Sequence, residues 1–127
     1  MELLRAMNWD ELKREYDLDG KRLLPWEGWP TPFGGAWCVV RPRSSSLRHG
    51  HDEQEMFIVI AGAATIHVGH ASYAVKKGDV MAITPNAEHY VSNQSDEDFH
   101  FYSLWWDRAS CEDFLANIKG HLQCPDI

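Results

Sequence analysis

Short runs of β-prone residues, each closed by turn residues, fill the chain from Ala36 to Trp106, and this pattern calls for an all-β sandwich or barrel. The predicted strands are Ala36–Arg41, Glu55–Ala61, Ala64–Val68, Ala71–Val75, Val80–Ile83, His89–Asn93 and Phe99–Trp105. Side chains alternate along a strand, so Glu55, Phe57 and Val59 share one face, and Met56, Ile58 and Ile60 share the other. Both faces of that strand are apolar apart from its glutamate. A carboxylate buried in such a run requires a partner.

The flanks read differently. Asn8 followed by Glu11 forms a capping-box-like start that predicts a short helix through about Tyr16, with Trp9, Leu12 and Tyr16 at helical spacing. Asp19-Gly20 then separates this helix from Leu23 and Leu24. The Pro- and Gly-rich stretch from Pro25 to Gly35, carrying Trp26, Trp29 and Phe33, reads as loop or edge structure. At the other end Ser110 is the expected N-cap of a helix that packs Phe114, Leu115 and Ile118 and stops at Gly120. The chain is thus expected as one domain: an N-terminal flap and loop over 1–35, a β-barrel over 36–107 and a C-terminal helix over 108–127.

Composition excludes several partners. A formal charge of -7, with no run of Lys or Arg longer than a pair, argues against nucleic acid or an anionic membrane surface. No apolar stretch has the length of a membrane span, and Met1 to Met7 lacks the apolar core of a signal peptide. The three cysteines, Cys38, Cys111 and Cys124, are too few and too scattered for a disulfide framework, so they read as structural thiols in a reducing cytoplasm. Six tryptophans in 127 residues point to aromatic-walled burial.

His49, His51, Glu55 and His89 carry the chemistry. In extended backbone His49 and His51 aim two imidazoles at one point, and Glu55 keeps the same odd-numbered register. His89 lies far downstream, and a barrel brings such a strand back beside the first. Three imidazoles and one carboxylate suit Zn2+, Fe2+, Mn2+ or Ni2+, with no thiolate in the set. Such a site retains net positive charge and favours an anionic or carbonyl oxygen.

These spacings resemble the cupin superfamily. Its first motif, HxHxxxE followed by six residues and a glycine, is matched by His49, His51, Glu55 and Gly62, and its second by Gly78, Asp79, Pro85, His89 and Asn93. Two positions depart from the pattern: Arg43 replaces the leading glycine of the first motif and Asn86 the inner glycine of the second. Asparagine tolerates a left-handed backbone, so that turn can survive. The short stretch from Ala63 to Lys77 between the motifs implies a tight hairpin. The resemblance implies a double-stranded β-helix, or jelly roll, with short helical segments at both ends.

Two further segments, Gly34–Pro42 and Phe101–Asp107, look like the small zinc cupins associated with methionyl-tRNA-synthetase-like proteins in hydrazine synthetases. That resemblance implies zinc on His49, His51 and His89, with Glu55 as fourth ligand or catalytic acid/base. It also implies nitrogen-nitrogen bond formation on an ester supplied by a separate synthetase-like chain. The other readings are a cupin dioxygenase or isomerase, and a non-catalytic metal-dependent module that binds a small polar molecule. His67, His70, His100 and His121 read as surface or supporting groups, and Tyr73, Tyr90 and Tyr102 as strand packing. Arg41 offers a bidentate fork for a carboxylate but also reads as a strand-end charge. The outward apolar residues Met56, Ile58 and Ile60 need cover, which the N-terminal segment or a second subunit would supply, and a homodimer is expected.

Overall fold

The computed structural model describes residues 2–118. Its strands run in chain order as β1 Lys13–Glu15, β2 Leu18–Leu24, β3 Gly34–Val40, β4 Ser44–Ser45, β5 Gln54–Ala61, β6 Ala63–Val68, β7 Ala71–Lys76, β8 Val80–Ile83, β9 His89–Asn93 and β10 Phe99–Trp106, followed by helix α1 Arg108–Asn117. Two antiparallel sheets face each other. The larger has the order β1-β2-β3-β10-β5-β8 and the smaller β4-β9-β6-β7. Between them lies a core of Phe57, Val59, Ile66, Ile83, Val91 and Phe101. The alternation expected along β5 and β10 holds: Phe57, Val59, Phe99, Phe101 and Ser103 are buried, while Met56, Ile58, Ile60, His100, Tyr102 and Leu104 on the outer face are half-buried.

The N-terminal helix expected through Tyr16 is not formed. Only a 3-10 turn exists at Trp9–Glu11, with the Asn8 side chain accepting from the Asp10 amide. The chain then makes a hairpin, because Tyr16 and Asp17 both adopt left-handed backbone, with φ of 53° and 57°. Two consecutive residues of this kind make the turn whose twist suits adjacent antiparallel strands. Asp19-Gly20, expected as a break, lies within β2, where Asp19 pairs with Val39 and Gly20 with Cys38. The N-terminal segment is therefore a two-stranded extension of the larger sheet.

The C-terminal helix begins one turn earlier than its expected cap. Asp107, not Ser110, is the N-cap, and its carboxylate accepts from the Ser110 amide at 2.8 Å. Phe114 and Leu115 are exposed rather than packed, so α1 lacks the buried face expected of it. Gly120 and His121 lie outside the described residues. Among the described residues no helix is long and apolar enough to cross a membrane.

Left-handed backbone recurs at the motif turns. Gly62 and Gly78 have φ of 86° and 93°, Asn86 has 66°, and Arg43 has 59°. At Gly62 the requirement is also steric, since a Cβ there would meet the Asp98 carbonyl oxygen at 2.7 Å. Asn86 thus does what the sequence allowed it to do. Arg43 takes the same conformation with a full side chain, whose guanidinium pairs with Asp96.

Candidate metal centre

His49 and His51 lie between β4 and β5, and His89 opens β9, the neighbour of β4 in the smaller sheet. Backbone pairing brings them together. The His89 amide donates to the His49 carbonyl at 2.9 Å, and the His49 amide returns a bond to the His89 carbonyl at 3.2 Å. From the other side the Asn86 amide donates to the His51 carbonyl at 2.7 Å, so the turn of the second motif clamps the loop of the first. One ligand atom from each of the three histidines falls within 4.8 Å of the others.

The ring orientations are fixed by carbonyl oxygens. Nδ1 of His49, His51 and His89 lies 2.9, 3.1 and 3.0 Å from the carbonyls of Leu47, Glu53 and Ala87. A carbonyl only accepts, so each Nδ1 carries the hydrogen and each neutral ring offers a lone pair at Nε2. His89 Nε2 is buried without a hydrogen-bond partner. It lies 3.1 Å from Glu55 Oε1, but that approach falls outside hydrogen-bond geometry.

Glu55 faces this nitrogen from β5. Its Oε1 lies 3.0 Å from His51 Nε2, and its Oε2 accepts from the Ser103 hydroxyl at 2.5 Å. Burial alone raises the Glu55 carboxyl. A proton on the facing His89 or His51, together with the Ser103 hydrogen bond, outweighs it and holds the group below the usual carboxylate range. Acceptor lone pairs this close repel unless a cation lies between them. The separations also suit shared coordination, because donors about 2.1 Å from one ion are about 3.0 Å apart at right angles and about 3.4 Å apart in a tetrahedron. The histidine triad with Glu55 therefore fits a divalent cation.

The centre opens into a cavity of ≈ 440 Å³ whose walls include Leu18, Ala36, Phe57, Val91, Phe101 and Trp105. Tyr16, at the tip of the N-terminal hairpin, stacks its ring on His49 with centroids 4.7 Å apart, while its carbonyl accepts from the Leu47 amide at 2.7 Å. Cys38 also lines the cavity, and burial pushes its thiol up to about 12, so it stays protonated and is a poor ligand. Sequence reasoning passed over Tyr16 and Ser103. For Ser103 a signal existed, since it shares its strand face with Phe101.

The remaining candidates lie elsewhere. Arg41 is paired with Asp19 at 2.7 Å and Asp98 at 3.0 Å, a strand-end charge as one reading had it. His67 stacks on Tyr90 beneath the Arg48 guanidinium and bonds the Ser72 hydroxyl. His100 accepts from the Trp37 indole at 3.0 Å on the outer face, and burial lowers its affinity for a proton. Tyr102 shares that outer face, and Tyr73 and His70 are exposed.

Comparison with known proteins agrees with the fold. Residues 36–106 match the Cupin domain family. A solved structure of a Photorhabdus luminescens protein is 53% identical, with a TM-score of 0.83 over 94% of this chain and 99% of that one. A Cupin 2 conserved barrel domain protein from Salinispora arenicola is 38% identical, with a TM-score of 0.80 over 92% and 98%. A predicted oxalate decarboxylase from Thermotoga maritima, 20% identical with a TM-score of 0.68 over 80% and 98%, shares the fold. No curated protein matches.

Proposed function

The chain belongs to the cupin family, and from that membership we propose a metal-dependent enzyme acting on a small polar metabolite, with His49, His51, His89 and Glu55 holding one divalent cation. The observation that carries this reading is His89 Nε2, a ring nitrogen in a side chain only 2% exposed, without a hydrogen-bond partner. Such an atom costs about 1–3 kcal/mol, which a cation would relieve. A bound divalent cation would supply Lewis-acid polarisation of a substrate oxygen. Ser103 holds Oε2 of Glu55 and so presents Oε1 to the histidines. Phe57, Val91 and Phe101 keep the inner wall dry, which strengthens polar contacts made there.

Zinc is the proposed metal, with Fe2+, Mn2+ and Ni2+ as the alternatives this donor set admits. A narrower reading draws on Gly34–Pro42 and Phe101–Asp107, which meet as neighbouring strands, Gly34 opposite Trp105 and Ala36 opposite Ser103, and contribute to the cavity wall. In it a separate synthetase-like chain supplies an amino acid esterified to an N-hydroxylated amine. The amino nitrogen attacks the ester-bound nitrogen, the nitrogen-nitrogen bond forms as the nitrogen-oxygen bond breaks, the carboxylate leaves and the amine loses a proton. A homodimer covering Met56, Ile58 and Ile60 belongs to the same proposal, and sedimentation velocity at micromolar concentration tests it.

Elemental analysis of protein purified without a metal-binding tag tests the main reading. About one equivalent of zinc per chain is expected, whereas iron would redirect the proposal to dioxygen chemistry. No transition metal above trace, and no uptake when metal is offered, would refute it.

A further inference from the structure

We propose that the cavity takes a short-chain organic acid, with one oxygen group at the histidine cluster and a carboxylate on the guanidinium of Arg22. This rests on reading the cluster as a metal centre. Arg22 reaches the cavity by register. It pairs with Ala36, Ala36 with Ser103, and Ser103 with Phe57, so the four form one row across the larger sheet, on the face that points inward.

Its position is fixed by neighbours. Nε and Nη2 each lie 3.1 Å from Glu15 Oε2, and the guanidinium carbon sits 5.5 Å from the centre of the Trp105 ring. Glu15 thus takes the Nε side of the fork. Among the described residues no acceptor is bonded to Nη1, which leaves the Nη1–Nη2 edge for two parallel hydrogen bonds to a carboxylate. The side chain is 56% exposed, as suits a group at the cavity mouth that meets an entering ligand.

Trp105 links this cation to the metal centre. It is the cross-strand partner of Glu55, and its indole lies across Gly34, where any Cβ would run into the ring. The indole therefore stands between Glu55 and Arg22. The intervening wall, with Ala36, Phe57 and Phe101, offers no charge to a ligand's middle. Polar ends joined by a short carbon chain fit such a space, and ≈ 440 Å³ lies in the usual range for small-molecule sites. The charges agree: the lining acids Glu11, Glu15, Glu53 and Glu55 are matched in number by Arg5, Lys13, Lys21 and Arg22, so a divalent cation leaves the cavity net positive. A dianion is therefore favoured over a neutral ligand.

Calorimetric titration of the full chain loaded with zinc, using malonate, succinate and 2-oxoglutarate as probes, tests the inference. At least one is expected to bind. Arg22→Gln should weaken it about tenfold or more, and Arg22→Lys less, with zinc affinity unchanged in both variants. The monomethyl ester of succinate should bind wild type and Arg22→Gln alike. Zinc-loaded wild type that binds none of the three acids, or an Arg22→Gln variant that binds them as well as wild type, overturns the inference while leaving the metal centre standing. A chain that takes up no zinc removes both.

Discussion

Two buried polar side chains stand on the same face of β9, one at each end, and they are treated in opposite ways. Asn93, 1% exposed, donates to the carbonyls of Val40 at 2.9 Å and Glu97 at 2.7 Å, and accepts from the Ser95 amide and hydroxyl. His89, 2% exposed, satisfies Nδ1 and leaves Nε2 with nothing. A fold that satisfies one end of a strand so fully has the means to satisfy the other. The difference marks Asn93 as a tie between the end of β3 and the β9–β10 loop, and His89 as a group held ready for a ligand from outside the chain.

Substitution at each end should break this contrast most visibly. Asn93→Ala strands several buried groups and should cost about 3 kcal/mol in urea unfolding, equally with and without metal. His89→Leu should change metal-free stability by less than about 1 kcal/mol, because the lost Nδ1 bond is offset by removal of an unsatisfied nitrogen, and should abolish metal-linked stabilisation. In wild type, free zinc at a hundred times its dissociation constant should add about 2.7 kcal/mol to unfolding. Ser103→Ala should weaken zinc binding about tenfold in a chelator competition while leaving metal-free stability nearly unchanged. The smallest effect sharpens the contrast from outside the site. The guanidinium of Arg41 holds Asp19 below the usual carboxylate range against the opposing effect of burial. A depressed carboxylate stabilises above its unfolded value of about 3.9 and loses that contribution as pH falls through the folded value. This partly exposed pair should give under about 1 kcal/mol, read as the difference between wild type and Asp19→Asn at neutral pH that vanishes in acid.

The strands β5, β9 and β10 were legible because they alternate between a packed and an outer face, and β8 and β9 begin and end where the pattern places them. The histidine cluster was legible for a similar reason: His49 and His51 are two apart in extended backbone. The hairpin of β1 and β2 was not. Its turn, Tyr16-Asp17, adopts left-handed backbone without a glycine to announce it, and its strands carry Lys13, Arg14, Glu15, Asp19 and Lys21 in place of an alternating apolar set. Trp9, Leu12 and Tyr16 meanwhile imitate a helical stripe. Trp9 instead meets Trp37 and His100 edge-on over the outer face of the sheet. Arg22 owes its place to register carried across neighbouring strands, which no local spacing encodes.

X-ray absorption spectroscopy of the zinc-loaded chain addresses the central claim most directly, since it reports the atoms around the ion. Three imidazole nitrogens and one carboxylate oxygen at about 2.0–2.2 Å are expected, with imidazole scattering diminished in His89→Leu. A shell containing sulfur, or one made of water oxygens and indifferent to His89→Leu, would contradict it.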